Sequence, residues 1–342
     1  MKIISDYKSL IRLAFLAALV SFQHTVWAAN VAQSPEKTAP TSIATAESLF
    51  KSGKYSEVTD LLWKSIDKLD RKSMILLAVA HEKKNEPANM SKVATMLTTK
   101  NEKDYEAHYL LGTAQFMSKK NSEALESLKT ALEINPKYQP AYEKLAQMYL
   151  EKKNTYELRI VYQDMMDKIG SKPAFLNKLC ELNTVLDYQE DQALLYCKDA
   201  ISKDPKNADN YVYMGLVQKN GGDDAKSKAT LKSAADSHSK SEFAVYTYAN
   251  LLDEQKSYLE AAKYYQACVS ADQKSARCWV GVAKTSFEIR KFDQALEAFK
   301  KACKLDRKNA ATFRKATTTL RNSKDLSWVQ PYETASEGCS GY

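Results

Sequence analysis

The alternation of apolar and polar residues between Tyr105 and Tyr138 defines a unit of 34 residues against which most of the chain can be aligned. In each half of this unit the apolar residues fall three or four positions apart, which is the spacing of an amphipathic helix. The polar segment Lys119–Ser122 between the halves has room only for a tight turn, so the two helices pair antiparallel. Pro136 ends the second helix because it has no amide hydrogen and its ring leaves no room to continue.

Small residues at Gly112, Ala124 and Ala131 let the two helix axes approach closely. Together with His108, Leu111, Leu128 and Pro136 they resemble the tetratricopeptide repeat, whose signature is an aromatic residue, Leu-Gly, Ala, Leu, Ala and Pro over 34 residues. The resemblance implies an all-α fold, a right-handed α-solenoid in which the first helices of successive hairpins line a concave groove.

The same spacing returns along the chain and predicts about eight hairpins between residues 43 and 309. The first two, 43–71 and 72–104, fit the pattern less well, and their register stays open. Residues 310–342 are predicted to form one capping helix, Ala310–Asn322, followed by an irregular tail, because the outer face of a terminal repeat has no neighbour and needs a polar cover.

The N-terminus has the layout of a secretory signal peptide. Basic residues precede the apolar run Leu13–Phe22, and the small residues Val26 and Ala28 stand before a predicted cut at Ala29. An uncleaved membrane anchor is the alternative, but the run is shorter than the ~20 apolar residues that a bilayer crossing needs. We therefore predict a signal peptide over 1–28, a flexible leader over 29–42, no transmembrane segment in the mature chain, and export to a bacterial periplasm or cell surface.

Composition and charge narrow the class of partner. The chain is 44% hydrophobic and 27% charged, with a formal net charge of +8. Its basic residues alternate with acidic ones and form no run, so a nucleic-acid partner is not expected. The composition is that of a folded, helix-rich protein.

Six cysteines in an exported chain predict disulfide bonds. Cys180 and Cys197 hold positions of one repeat that face each other across the hairpin, so they should pair. The segment ACVSADQKSARCW around Cys268 and Cys278 resembles the linker of the cysteine-stapled, Sel1-like repeats, which implies a Cys268–Cys278 bond and leaves Cys303 for Cys339. Cys278 and Cys303 also hold positions that face each other across one hairpin. A Cys278–Cys303 bond therefore stays open as an alternative, although the first scheme is preferred.

No catalytic pattern is present in the sequence. Beyond the predicted signal peptide only His81, His108 and His238 remain, and their spacing does not match a zinc site. The chain has neither a glycine-rich phosphate loop nor a Gly-x-Ser-x-Gly elbow, and the cysteines include no C-x-x-C. We therefore expect no catalytic residue, no metal site, no cofactor and no enzymatic activity.

The repeat pattern also names the side chains that should line the groove. They form a mixed stripe, with apolar patches flanked by single charges, which suits an extended or helical peptide held by a few anchors. The predicted groove consists of Tyr109, Thr113, Phe116, Glu143, Gln147, Leu150, Lys178, Leu182, Val185, Val212, Leu216, Lys219, Tyr246, Asn250, Asp253, Val280, Lys284 and Phe287.

Three functions follow from this pattern. The leading hypothesis is a monomeric, non-enzymatic scaffold in envelope assembly or secretion that binds a peptide or protein in the groove. A glycan or peptidoglycan binder is the second, and it requires exposed rings at Tyr109, Phe116, Tyr246 and Phe287. A co-chaperone adaptor is the third, but of the residues that its two-carboxylate clamp needs only Asn250 is in place, and Tyr246 stands where a lysine should be.

Overall fold

A computed structural model of the chain describes residues 40–187, 189–323 and 325–340. The chain divides into two compact units, an N-terminal unit that ends at Gly170 and a C-terminal unit that begins at Ser171. The described residues form helices and turns without a β-strand. The predicted signal peptide and the leader up to residue 39 lie outside the described residues.

Successive helices of each unit pair with each other as antiparallel hairpins. In the N-terminal unit they are α1 (Pro40–Lys51), α2 (Tyr55–Trp63), α3 (Arg71–Lys83), α4 (Pro87–Lys100), α5 (Tyr105–Met117), α6 (Asn121–Ile134), α7 (Gln139–Glu151) and α8 (Thr155–Ile169). In the C-terminal unit they are α9 (Pro173–Leu186), α10 (Glu190–Lys203), α11 (Ala208–Asn220), α12 (Asp224–Ser237), α13 (Glu242–Glu254), α14 (Tyr258–Ala271), α15 (Ala276–Glu288), α16 (Phe292–Leu305), α17 (Ala310–Arg321) and α18 (Val329–Ser340).

Each of the first eight hairpins turns through a residue with a left-handed backbone. In the reference hairpin this residue is Lys119, with a φ of 62°. The amides of Lys119 and Lys120 donate to the carbonyls of Phe116 and Gln115, both at 2.9 Å, which closes the first helix. The tight turn predicted at Lys119–Ser122 is confirmed. The equivalent residues, most of them 34 apart, are Gly53, Asn85, Lys153, Asp187, Gly222, Lys256 and Arg290.

Small residues set the distance between the helices of a hairpin, as the sequence predicts. A Cβ added to Gly112 of α5 would lie 2.9 Å from Leu128 Cγ and 3.1 Å from the carbonyl oxygen of Ala124 on α6. Between successive hairpins the approach is as close, since an atom added to Gly281 of α15 would lie 2.2 Å from the ring of Tyr265 on α14. Neither position has room for a side chain, because protein interiors are close-packed.

First helices of successive hairpins contact one another within each unit. The pairs are α1 with α3, α3 with α5 and α5 with α7 in the N-terminal unit, and α9 with α11, α11 with α13 and α13 with α15 in the C-terminal unit. We call the surface that these first helices form the inner face of each unit. The predicted all-α solenoid is confirmed, and its right-handed twist stays a prediction.

The structure differs from the sequence prediction at both ends of the solenoid. Helix α1 begins at Pro40, inside the stretch expected to be a flexible leader. Helix α18 lies in the tail that was expected to be irregular. Tyr332 explains this second difference, because it is fully buried and its hydroxyl donates to the carbonyl of Phe292 at 2.9 Å. The cap is therefore a hairpin of α17 and α18, and Pro331 lies in the first turn of α18, where a missing amide hydrogen is tolerated.

All three disulfides lie in the C-terminal unit. Cys180 pairs with Cys197 across the α9–α10 hairpin, with 4.6 Å between the Cα atoms. Cys268 pairs with Cys278 between α14 and α15, and Cys303 pairs with Cys339 between α16 and α18, each with 5.7 Å between the Cα atoms. The preferred pairing is the one that the structure contains, and the alternative Cys278–Cys303 bond is not formed. Among the described helices, none is long and apolar enough to cross a membrane.

Candidate partner-binding face

Helix α5 supplies the first part of the inner face of the N-terminal unit. Tyr109 is half-buried, its ring packs edge-on against Tyr138 at 5.5 Å between centroids, and burial raises the pKa of its hydroxyl. Thr113 and Phe116 were expected in the groove but are 0% and 8% exposed. Because α5 is covered by α3 on one side and α7 on the other, these two side chains belong to the core.

Helix α7 supplies the second part of this face, and its predicted residues remain accessible. Glu143, Gln147 and Leu150 are each half-buried. The amide of Gln139 donates to Glu143 Oε1 at 2.7 Å, and that of Gln147 donates to Glu151 Oε1 at 3.2 Å. These polar contacts stay within α7, so α7 presents hydrogen-bonding groups beside the apolar side chain of Leu150.

A buried lysine on α7 was missed by the sequence analysis. Lys144 is 8% exposed, and its ammonium donates to Gln147 Oε1 at 3.4 Å. Within the described chain no carboxylate lies within 4 Å of it, so its charge is balanced only at longer range, by Glu82 of α3 among others. Burial lowers the pKa of Lys144, because desolvation penalises its charged form. Its neighbour Glu143 fitted the expected stripe, and nothing in the sequence pattern marked Lys144 itself.

The inner face of the C-terminal unit is closed at several predicted groove positions. Val212 is 0% exposed, Leu216 7% and Asp253 7%. They lie on α11 and α13, which contact each other and pack against α12 and α14. Their expected role in a groove is therefore corrected to a role in the core, and the same holds for Leu182 on α9, which is 3% exposed.

Ion pairs between neighbouring repeats neutralise the charges of this face. Lys219 on α11 pairs with Glu254 on α13. Lys284 on α15 pairs with Asp253 on α13. Within α9, Lys178 pairs with Glu181 at 2.5 Å. The single charges that the sequence assigned to a partner are therefore already satisfied inside the protein.

Tyr246 and Asn250 on α13 are also engaged by their neighbours. The guanidinium of Arg277 stacks over the ring of Tyr246, 4.4 Å from its centroid. Arg277 is held there by Glu242, which its Nε contacts at 2.5 Å. The amide of Asn250 donates to Glu254 Oε1 at 3.1 Å. Neither residue is arranged as part of a carboxylate clamp.

The aromatic line required by the glycan hypothesis is not present. Phe287 is half-buried and packs against Phe292 and Tyr332, with centroids 5.2 and 6.0 Å away. Phe116 is buried, and one face of Tyr246 is covered by Arg277. Because an exposed ring is what stacks on a sugar, these rings do not form a sugar-binding platform.

In the part of the chain that the structure describes, one group of potential metal ligands occurs around the second disulfide, in Glu242, Cys268 and Cys278, whose ligand atoms lie within 4.8 Å of one another. Both sulfur atoms are consumed in the disulfide. The carboxylate of Glu242 accepts hydrogen bonds from Ser275 Oγ at 2.6 Å and from Arg277. A guanidinium at that carboxylate repels a cation, so this group serves as a structural junction between α13 and α15.

The repeated hairpins, their shared turns and their stacked first helices define the class of an α-solenoid built from helical-hairpin repeats. The sequence profile described as "Tetratricopeptide repeat" matches residues 105–138, 244–275 and 276–309. The chain therefore contains tetratricopeptide repeats at these residues, as the pattern around Gly112 predicted. A comparison with curated proteins finds no match.

Solved structures of tetratricopeptide repeat proteins are similar to this chain at low sequence identity. The C-terminal part of a repeat-containing protein from Cytophaga hutchinsonii is 13% identical, with a TM-score of 0.57 over 70% of this chain and 98% of that one. A protein from Parabacteroides merdae ATCC 43184 is 15% identical, with a TM-score of 0.48 over 77% of this chain and 98% of that one. YrrB, a protein with an unusual peptide-binding site, is 14% identical, with a TM-score of 0.43 over 55% of this chain and 96% of its own.

Proposed function

We propose that this chain is an exported, non-enzymatic scaffold that binds a peptide segment of another protein on its inner face, chiefly in the N-terminal unit. The observation that carries the proposal is the accessible strip of α5 and α7. There Tyr109 and Leu150 offer apolar contacts, and Glu143 and Gln147 offer hydrogen bonds. Repeats of this family typically serve as interaction scaffolds, which supports the same proposal.

Export is the second part of the proposal. Three disulfides form among the described residues, and disulfides persist mainly in oxidising compartments outside the cytosol. The same bonds weigh against a cytosolic co-chaperone. We expect the mature protein to begin at Ala29 and to reside in a bacterial periplasm or at the cell surface, with a role in envelope assembly or secretion. Mass spectrometry of its N-terminal peptide tests the cleavage site.

A peptide-display selection against the chain from Ala29 onward tests the binding proposal. Selected peptides are measured by fluorescence anisotropy against the unaltered chain and against a Tyr109→Ala, Leu150→Ala double variant. We expect binding at least about tenfold weaker in the double variant, because truncating central anchors removes much of the binding free energy.

Tyr156→Ala is the matched control for this selection. Tyr156 is 49% exposed on α8, a second helix of the same unit, so its loss should leave peptide binding unchanged while circular dichroism shows all three proteins folded. If the selected peptides bind the double variant as tightly as the unaltered chain, the inner face of the N-terminal unit is not the binding surface.

A further inference from the structure

A small cavity lined mainly by polar residues lies between two successive hairpin turns of the C-terminal unit. Its volume is about 90 Å³, and it is bounded by the end of α9, the start of α10 and the end of α11. Asn183, Asp187 and Glu190 line it from the first hairpin, and Asn220 and Gly221 line it from the second. This cavity is separate from the inner-face residues considered for peptide binding.

Asn183, which lines this cavity, has a buried side-chain oxygen without a hydrogen-bond partner. The residue is 0% exposed, and its Nδ2 donates to the carbonyl of Leu179 at 2.7 Å. Because a carbonyl can only accept, the remaining atom of the amide must be the oxygen. No described residue donates to that Oδ1, and a buried acceptor without a partner is costly. The cavity is where a partner for it can sit.

Two carboxylates at the same cavity lack a counter-ion. Asp187 accepts one hydrogen bond, from Asn220 Nδ2 at 3.1 Å, and Glu190 lies against Gly221, where an added Cβ would meet its Oε1 at 2.1 Å. Among the described residues neither forms an ion pair within 4 Å. Lys226 has only a longer-range electrostatic interaction with Glu190, and its ammonium is already paired with Asp223 at 2.6 Å.

We propose that this cavity is a binding site for a hard divalent cation, Ca²⁺ in particular, with Asn183 Oδ1 and the carboxylates of Asp187 and Glu190 as ligands and water completing the shell. Carboxylate and amide oxygens are the ligands that Ca²⁺ takes, and it tolerates an irregular donor set better than Mg²⁺ does. The ion would satisfy the buried oxygen and neutralise the two carboxylates in one step. It would also tie the end of α9 to the start of α10.

Calorimetric titration of CaCl₂ into the chelator-treated full chain tests the proposal. We expect one site with a dissociation constant on the order of 10⁻⁴ to 10⁻³ M, as in extracellular calcium modules, and weaker binding of Mg²⁺. An Asp187→Asn, Glu190→Gln double variant should bind at least about tenfold more weakly. Both residues are exposed and both replacements are close in shape, so the fold should be retained.

Asp191→Asn is the matched control, because Asp191 is an exposed carboxylate in the same first turn of α10 that does not line the cavity. It should leave calcium binding unchanged. As a second readout, calcium should slow amide hydrogen exchange around residues 183–190 in the unaltered chain and not in the double variant. If calcium gives no heat of binding, or binds the double variant equally well, the cavity holds ordinary water and the proposal is wrong.

Discussion

The two units use the same hairpins, turns and helix contacts, yet the links that stabilise each unit internally differ. The C-terminal unit contains all six cysteines as three disulfides, and ion pairs such as Lys284–Asp253 join its neighbouring repeats. Residues 40–170 contain no cysteine. There Arg71 of α3 reaches Asp104, the residue that caps α5, with Nε to Oδ2 at 2.6 Å, and His81 is buried in the core. Both units therefore have ion pairs between neighbouring repeats, and the difference is that one repeat architecture is stabilised with disulfides in one unit and without them in the other.

Reduction of the disulfides should produce the largest difference in behaviour between the two units. Each disulfide closes a loop of 10 to 36 residues, and the chain-entropy model gives such a bond about 3 to 4 kcal/mol of stabilisation. We expect a dithiol reductant to speed amide hydrogen exchange of core helices in residues 171–340 and to leave residues 40–170 unchanged. Mass spectrometry of exchanged peptides measures both units in one sample. Equal acceleration in both would show that the disulfides do not account for the difference.

Close packing of helices at glycine positions is a feature that the two units share. A side chain added at such a position should therefore destabilise either unit. Gly281→Ala places a methyl group inside the space of the buried Tyr265 ring, and Gly112→Ala does the same against Leu128 with less overlap. We expect a loss of about 2 to 3 kcal/mol in the free energy of unfolding for the first and about 1 to 2 kcal/mol for the second. Chemical denaturation of each variant measures these changes.

Gly338 of α18 is the control for this pair. An added Cβ there meets no atom within 4 Å, so Gly338→Ala should raise stability by up to about 1 kcal/mol through helix propensity. A stabilising Gly281→Ala variant would contradict the close approach of α14 and α15.

Lowering the pH should reveal the smallest difference between the two units, as a loss of stability in the N-terminal unit. Burial lowers the pKa of His81, although the carboxylate of Glu86, 2.7 Å from its Nδ1, opposes this. The unfolded chain therefore takes up a proton more readily than the folded chain, and stability falls as the pH drops below the ordinary histidine value of about 6.5.

Hydrogen exchange at pH 7.5 and at pH 5.5, corrected for the intrinsic rates, tests this effect. We expect α3 and α4 to lose protection at the lower pH in the unaltered chain, and a His81→Gln variant to lose much less. An identical loss in the variant would assign the acid sensitivity to other groups.

Much of the fold could be predicted from the sequence because hairpin geometry is local. The 34-residue spacing, the turn at Lys119 and the small residues at Gly112 and Ala124 each depend on residues close in the chain, and all are confirmed. The Cys180–Cys197 bond followed from the same spacing. Helix α18 could not be predicted this way, because Tyr332 is buried against side chains of α16 and α17 that only the folded chain brings together.

The candidate site was less predictable because lining a face and being exposed on it are different properties. Helical periodicity placed Thr113 and Val212 on the groove side of their helices, but contact with the next first helix covers them. The ion pair of Lys219 with Glu254 joins residues 35 apart in the chain, which periodicity within one helix does not detect. The cavity at Asn183 depends on two consecutive turns and has no motif at all.

Because the left-handed turn residue recurs at regular intervals, such a chain can gain or lose length by whole hairpins. Lys119 and Lys153 hold the same backbone conformation 34 residues apart. Deleting residues 120–153, or duplicating them, would therefore rejoin equivalent turns and change the N-terminal unit by one whole hairpin. The same operation between Asp187 and Gly222 would remove Cys197 and strand Cys180. Gain and loss of repeats is thus open throughout the cysteine-free N-terminal unit, whereas in the C-terminal unit it keeps every disulfide only in a segment such as 223–256, which contains no cysteine.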